Sequence, residues 1–495
     1  MPCFFTSFRS TMTLALSLPV AVLSFSAQAD VTTSPAASSQ EKPAKPNVIM
    51  IYTDDMGYGD LSSFSDALPV KTPHIDRMAK EGRKFTQFYV SMPICSPSRA
   101  AVLSGTFSPE NQLTNYLQTR EGNYQSDQND YMDPARAYLP KSFQAAGYAT
   151  GHIGKWHLGG GRDVDNAPTI LKYGYDEAYS TWESPMVNHD PKLGIHFAPW
   201  DRNHKDPGQV ERYDRTRYMV DKTLDFLKRH KDKPCFITLW PDDLHTPYRP
   251  SPAMRKKYGG KPGADNGVKN FYAVLEEYDR QMGRLLDGLK DIGAEENTIL
   301  FFTGDNGPAP TYEHTRTDGM RGMKLSLYEG GIREPFIIRW PGKIQPDTTD
   351  NETIMSTIDL LPTLTSMAGI PMVAEAKDKF EGQDMSGAIL GPVTAVKRVK
   401  PLMWEYGRTP HVPRPKADSI DLSPKLAIRD GDFKLLVNDD NTSHELYNLR
   451  NDRKEKANLA GKPEHKELIE KLSRQVIEWQ KTLPHRTQPY PAVKP

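Results

Sequence analysis

Hydrophobic positions along the chain fall into two kinds of run. Short, unbroken apolar stretches, NVIMIYT (47–53), PCFITLW (234–240), TILFFTG (298–304) and PFIIRW (335–340), are rich in β-branched and aromatic residues and do not alternate with polar ones. Unbroken runs of this length predict strands buried on both faces, as in a sheet covered by helices on either side. NFYAVLEEYDRQMGRLLDGLKDIG (270–293) instead places Phe271, Val274, Leu275, Tyr278, Met282, Leu285, Leu286 and Leu289 at spacings of three and four. RYMVDKTLDFLKRH (217–230) repeats that pattern with Val220, Leu224 and Leu227. Both stretches predict amphipathic helices, the longer one stopped by Gly293. Strands and helices of these kinds, taken together, predict an α/β fold.

The two ends differ in texture. Residues 1–29 carry Arg9 as their only charge, surround the apolar core TLALSLPVAVLSF, and close in the small residues SAQA. That is the pattern of a removable signal peptide, cut after about Ala29. Its core is shorter than the roughly 20 apolar residues that a membrane span needs. The protein is therefore expected to be exported, periplasmic or secreted, with no membrane attachment after signal removal. Residues 30–46, with VTTSPAASSQEKPAKP, form a low-complexity polar linker, and a large domain is expected over 47–395. Beyond it, KLAIRDGDFKLLVN predicts a hairpin around Asp430-Gly431, and EHKELIEKLSRQVIEWQKTL predicts a C-terminal helix. Residues 396–495 are accordingly read as a smaller α+β subdomain.

Charge and cysteine usage narrow the chemistry. The 63 basic and 63 acidic residues balance, which argues against a dedicated nucleic-acid binder or a polybasic membrane binder. Anion recognition must be local, in a pocket. Three cysteines, Cys3, Cys95 and Cys235, are too few for a disulfide framework or a zinc knuckle. Cys3 leaves with the signal, and Cys235, inside an apolar strand run, is a small core residue. Cys95 needs a chemical explanation.

The polar residues that follow the strand runs supply candidates. IYT leads into Asp54 and Asp55, FFTG into Asp305 and Asn306, and ITLWPDD into His245. Ligands of open α/β sheets collect outside the carboxyl ends of strands, and clustered hard oxygen ligands suit calcium or magnesium. An Asp-Asp pair before a glycine is by itself ordinarily a turn; the shared position after buried strands is what marks these. In GHIGKWHLGG, Lys155 and His157 stand two apart and share one side if the segment is extended. A helix starting near Cys95 would bring Arg99 onto the same face one turn later, beside a helix N-terminus that favours anions. Lys324, in RGMKLSLYEGGIR, adds another cation next to a glycine-rich loop.

CSPSRAAVLSG (95–105) resembles the signature of the formylglycine-dependent type I sulfatases, Cys-x-Pro-Ser-Arg before a short helix closing in Leu-x-Gly. DDMGYGD, GKWHLG, HTPY, TGDNG, GMKLSLYEGGIREP and HELYNL also occur, in the family's order and at similar spacings, over residues 47 to about 460. The resemblance implies an alkaline-phosphatase-like fold, a large mixed sheet flanked by helices with a smaller C-terminal α+β subdomain. It also implies that a formylglycine-generating maturation enzyme oxidises Cys95 to Cα-formylglycine, reading Pro97 and Arg99. Calcium would be held by Asp54, Asp55, Asp305, Asn306 and residue 95. Arg99 and His157 would position and deprotonate the formylglycine diol, and Lys155, His245 and Lys324 would surround the sulfate, with His245 the acid for the leaving sugar oxygen. In WPDDLHTPY the approach to His245 is more acidic than in many members; Asp242 and Asp243 are read as specificity or orienting residues, outside the metal set.

The activity implied is hydrolysis of sulfate esters, on a sulfated carbohydrate since an exported enzyme meets polysaccharide fragments. Long loops over 160–215 and 308–323, with Trp182 and Trp200 as rings for stacking on sugars, are expected to set specificity. A phosphomonoester or phosphonate hydrolase on the same fold, a non-catalytic carbohydrate-binding protein, and a thiol hydrolase using Cys95 directly are the alternatives; the last would leave the oxygen ligands idle.

Overall fold

The computed structural model describes residues 45–136, 138–181, 210–310, 314–373 and 380–489. The expected signal peptide, Trp182 and Trp200 lie outside them. Nine strands form a large sheet: β1 (Asn47–Thr53), β2 (Arg83–Tyr89), β3 (Ala149–Lys155), β4 (Glu177–Thr181), β5 (Cys235–Trp240), β6 (Thr298–Gly304), β7 (Arg333–Arg339), β8 (Thr348–Asp350) and β9 (Met355–Ser356). Each of the four apolar runs forms a strand. The amphipathic patterns become helices Arg215–Arg229 and Val268–Asp291.

The lack of alternation has the expected cause. Val48, Met50 and Tyr52 of β1 pack on one side of the sheet with Ala100, Val102 and Leu103 of helix Cys95–Ser104. Ile49 and Ile51 point to the opposite side, against Val220 and Phe226 of one long helix and Leu275, Met282 and Leu286 of the other. With helices on both faces, neither set of strand positions faces water.

The strand order β4-β3-β5-β1-β6-β7-β2-β8 determines where the chemistry can sit. β3, β5, β1 and β6 are consecutive parallel neighbours, so their carboxyl ends emerge along one edge. β7 runs antiparallel to β6, which brings the residues before its amino end to the same edge. Sequence-distant segments after four strands and before a fifth thus converge.

The smaller sheet is antiparallel, β10 (Leu402–Glu405), β11 (Leu426–Asp430), β12 (Phe433–Val437) and β13 (Glu445–Asn448) in that order. The predicted hairpin turns at Gly431, whose φ of 59° is left-handed, where glycine carries no Cβ penalty. Helix Lys466–Lys481 covers one face through Leu472 and Val476. The other face meets the large sheet across Tyr89, Val90, Tyr328, Trp404 and Leu436. A buried ionic network crosses the same boundary: Lys434 pairs with Glu329 and Glu455, each at 3.0 Å, and Glu329 also accepts from Tyr89 Oη and Arg333. Burial alone would raise the Glu329 carboxyl, but Lys434, Arg333 and Arg429 hold it down at about 2.

Because removing one member strands the others in a dry interior, Lys434→Met is expected to cost about 3–5 kcal/mol. Urea unfolding monitored by circular dichroism checks this; a loss under about 1 kcal/mol, the size of an exposed pair, would mean that the network does not hold the two sheets together.

Candidate active site

The convergent edge carries most of the residues singled out from sequence. Asp54 and Asp55 follow β1, Asp305 and Asn306 follow β6, Lys155 ends β3 and His245 lies beyond β5. Cys95 opens its helix as expected, and the helix closes at Gly105 in the left-handed conformation, φ 68°. Lys324 arrives from the segment before β7. The Lys155 ammonium donates to both Asp54 oxygens at 3.0 and 2.8 Å, while Lys324 Nζ lies 2.5 Å from Asp55 Oδ1 and 3.4 Å from Cys95 Sγ. Arg99 is fully buried and donates through Nε and Nη2 to Asp305 Oδ2 at 3.0 and 2.7 Å, with its Nη2 3.6 Å from Asp54 Oδ1. It lies over the Trp240 ring, 5.2 Å from the centroid.

One expectation fails. The segment Lys155-Trp156-His157 is not extended: β3 ends at Lys155 and His157 adopts a left-handed φ of 53°. Trp156 is buried in the core between them, so the two side chains do not share a side by strand alternation. His157 approaches the site by this turn, with Nε2 3.4 Å from the Leu117 carbonyl. Burial, Lys155 and Arg99 hold its pKa well below the usual range, so the ring is neutral.

The electrostatics divide the groups. Burial would raise the Asp54 carboxyl, yet Lys155, His245 and Arg99 keep it well below the ordinary carboxylate range. Burial disfavours the Lys324 charge, but Asp55 overrides it and the ammonium holds its proton firmly. The Cys95 thiol is pushed up to about 12 by burial in spite of Lys155 and Lys324. A thiol in that range is protonated at neutral pH, which speaks against the thiol-hydrolase alternative. His245 Nδ1 is 2.6 Å from the Thr246 carbonyl oxygen, so Nδ1 carries the hydrogen and Nε2 presents a lone pair 3.6 Å from Asp55 Oδ2.

Ligand atoms of Asp54, Asp55, Cys95 and His245 lie within 4.8 Å of one another. Asp55 Oδ2 and Asn306 Oδ1 are buried with no hydrogen-bond partner, while Asn306 Nδ2 donates to Asp55 Oδ1 at 2.8 Å. Orphaned oxygens beside paired carboxylates fit a hard cation such as calcium. Asp242 and Asp243 do not enter this cluster; they bond to Arg212, Arg215 and Thr216.

Arg316 escapes the sequence reading. Arg316 lies in the 308–323 stretch expected to form a specificity loop, yet it is 1% exposed. It donates to the Asp60 carboxylate at 2.6 Å, to the Asp55 carbonyl at 2.8 Å and to Tyr248 Oη at 3.1 Å. A Cβ at Gly57 would stand 2.2 Å from the Arg316 carbonyl oxygen, which is why DDMGYGD needs glycine there. Part of that stretch is therefore a clamp on the Asp55 backbone. Nothing local in the sequence pairs Arg316 with Asp60, 256 residues away.

A family model described as Sulfatase matches residues 46–370, and one described as N-sulphoglucosamine sulphohydrolase, C-terminal, matches 322–482. An N-acetylgalactosamine-6-O-sulfatase of Bacteroides thetaiotaomicron is 28% identical over 87% of this chain and 92% of its own length. The N-acetylgalactosamine-6-sulfatase of Canis lupus familiaris is 31% identical over 70% and 67%. A Bacteroides thetaiotaomicron structure solved in connection with the metabolism of multiple glycosaminoglycans superposes with a TM-score of 0.70 at 25% identity, covering 88% of this chain and 99% of that one. With the Cys-x-Pro-Ser-Arg run at the head of a helix that faces four strand ends, these matches identify the chain as a member of the sulfatase family in the alkaline-phosphatase-like superfamily, a hydrolase of sulfate esters.

Proposed function

We propose that the chain removes sulfate from a sulfated sugar, with N-acetylgalactosamine 6-sulfate the first substrate to test. The observation that carries this reading is the set of fixed cations, Lys155, Lys324 and Arg99, gathered around Cys95 and the buried carboxylates. The sugar class is supported by relatives that carry N-acetylgalactosamine-6-sulfatase activity in their names. In the same reading, residues 1–29 export the chain, 47–395 and 396–495 are its two folded parts, and a maturation enzyme converts Cys95 to formylglycine.

Asp54, Asp55, Asp305 and Asn306, with residue 95, would hold calcium. When present, calcium supplies positive charge to a sulfate oxygen and the hydrated formylglycine supplies an oxygen nucleophile in place of the inert thiol. The remaining work belongs to the side chains. Lys155 and Lys324 donate to sulfate oxygens and so stabilise charge where it develops. Neutral His157 accepts the proton of the attacking hydroxyl. Arg99 fixes Asp305 against that helix. His245 is the acid in this reading: with Nδ1–H on the Thr246 carbonyl it takes up a proton at Nε2, where burial lowers its pKa and Asp55 and Asp54 oppose that, and it passes the proton to the leaving sugar oxygen; Lys324, whose proton is held by Asp55, is a poor acid for this step.

Sulfate release from N-acetylgalactosamine 6-sulfate and from nitrophenyl sulfate tests both substrate and acid. The wild type is expected to turn over the sugar, and His245→Ala to lose about 10²- to 10⁴-fold in kcat/KM on it but far less on nitrophenyl sulfate, whose phenolate leaves unaided. No turnover of any 6-sulfated hexosamine would remove the substrate assignment, and equal losses on the two substrates would return His245 to a binding role.

Chelation is expected to stop turnover and lower Tm, with calcium restoring both. Saturation at 100 times Kd stabilises a native fold by about 2.7 kcal/mol. An unchanged Tm and undiminished rate after verified metal removal would contradict the calcium assignment.

A further inference from the structure

His245 stands on a turn with no regular structure of its own. After β5 the chain passes through Pro241, Asp242, Asp243 and Leu244, the last with a left-handed φ of 75°. Arg212, from the short turn Arg212–Asp214 ahead of helix Arg215–Arg229, grips this segment at two points. Its Nη2 donates to the carbonyl oxygen of Asp242 and, at 3.3 Å, to the carbonyl oxygen of His245 itself. Its Nη1 forms an ion pair with Asp242 Oδ1 at 2.5 Å.

The grip is braced from behind. Arg215 donates to the other Asp242 oxygen at 2.9 Å, and Thr216 Oγ1 donates to Asp243 Oδ2. Asp242 is fully buried and the Arg212 side chain is 12% exposed, so loss of Arg212 would leave the buried carboxylate to its ion pair with Arg215. A guanidinium is suited to this position because its planar fork can serve a carboxylate and backbone carbonyls together. With the backbone on either side of the turn fixed, the bond from His245 Nδ1 to the Thr246 carbonyl leaves Nε2 one direction, toward Asp55.

We propose that Arg212 is a positioning residue for His245: held by Asp242, it fixes the His245 carbonyl and so aims Nε2 at the reacting sulfate ester. This rests on the reading of His245 as acting at the reacting ester. It also assigns the acidic approach in WPDDLHTPY, where Asp242 anchors Arg212 and Asp243 ties the turn to Thr216.

The test is a double-mutant cycle in the full chain, Arg212→Met and His245→Ala separately and together, with kcat and KM on N-acetylgalactosamine 6-sulfate and nitrophenyl sulfate. Misplacing a catalytic group by about 1 Å can cost about 10²-fold. Arg212→Met is therefore expected to lower kcat by about that factor with His245 present, at little change in KM, and by less than about 2-fold in the His245→Ala background. Arg212→Lys, which keeps a charge beside Asp242 without the fork, is expected to retain the Tm but only part of the rate; if the Met variant does not fold, the Lys variant carries the cycle. Equal losses in both backgrounds, or a loss confined to Tm or KM, overturn the proposal. The reading of His245 as the acid fails separately, through equal losses of His245→Ala on the two substrates, and the cycle still reports whether Arg212 acts through that ring.

Discussion

Charge compensation in a dry pocket is the constraint on which the rest of the site depends. Asp54, Asp55 and Asp305 are buried within hydrogen-bonding range of one another's partners. Three carboxylates so placed would repel and protonate unless cations stood among them. Lys155 takes Asp54, Lys324 takes Asp55 and Arg99 takes Asp305. The compensation is uneven: Asp54 is held far below its usual range, whereas burial pushes Asp305 up despite Arg99. A divalent cation would supply the remaining positive charge where two oxygens stand without partners.

The fold delivers those cations from separate places. Lys155 comes on the end of β3, next to the edge strand β4, and Arg99 from one turn inside a buried helix. Lys324 has no regular element beneath it and is fixed by its surroundings. Its backbone N–H donates to the Pro308 carbonyl at 3.0 Å, and that of Leu325 to Pro93 at 2.9 Å. Residues ahead of β11 hold the same segment: Asp421 accepts from the Gly322 N–H and Ser423 from that of Leu327. The smaller sheet's side of the molecule thus acts on the chemistry through Lys324, in addition to covering the large sheet.

Much of this is legible in the sequence, because it is carried by local pattern. Buried strands betray themselves by unbroken apolar runs, and the polar residues after them mark the edge where ligands gather. The Cys95 helix and the Gly431 hairpin follow from short motifs whose geometry is set within a few residues. The reading fails where geometry is decided at a distance. An extended segment would put His157 on the same side as Lys155, but burial of Trp156 and a left-handed turn give it a different approach. Arg316 reads as a loop residue because its partners, Asp60 and the Asp55 carbonyl, follow β1, the neighbour of β6 in the sheet, with Asp60 256 residues away along the chain. Arg212 carries no local signal, since its contacts exist only once the segment after β5 lies beside the start of helix Arg215–Arg229, which precedes that strand.

The central claim is that Cys95 serves as the precursor of the nucleophile. With the thiol pushed up to about 12, the unmodified side chain offers little thiolate at neutral pH, and the buried oxygens without partners nearby, Asp55 Oδ2 and Asn306 Oδ1, suit a hard cation. Mass spectrometry of the peptide containing Cys95, taken from protein of measured specific activity, is the most direct test. The account predicts an aldehyde at residue 95, in a fraction that rises in proportion to activity; unmodified cysteine throughout a preparation with full turnover would contradict it.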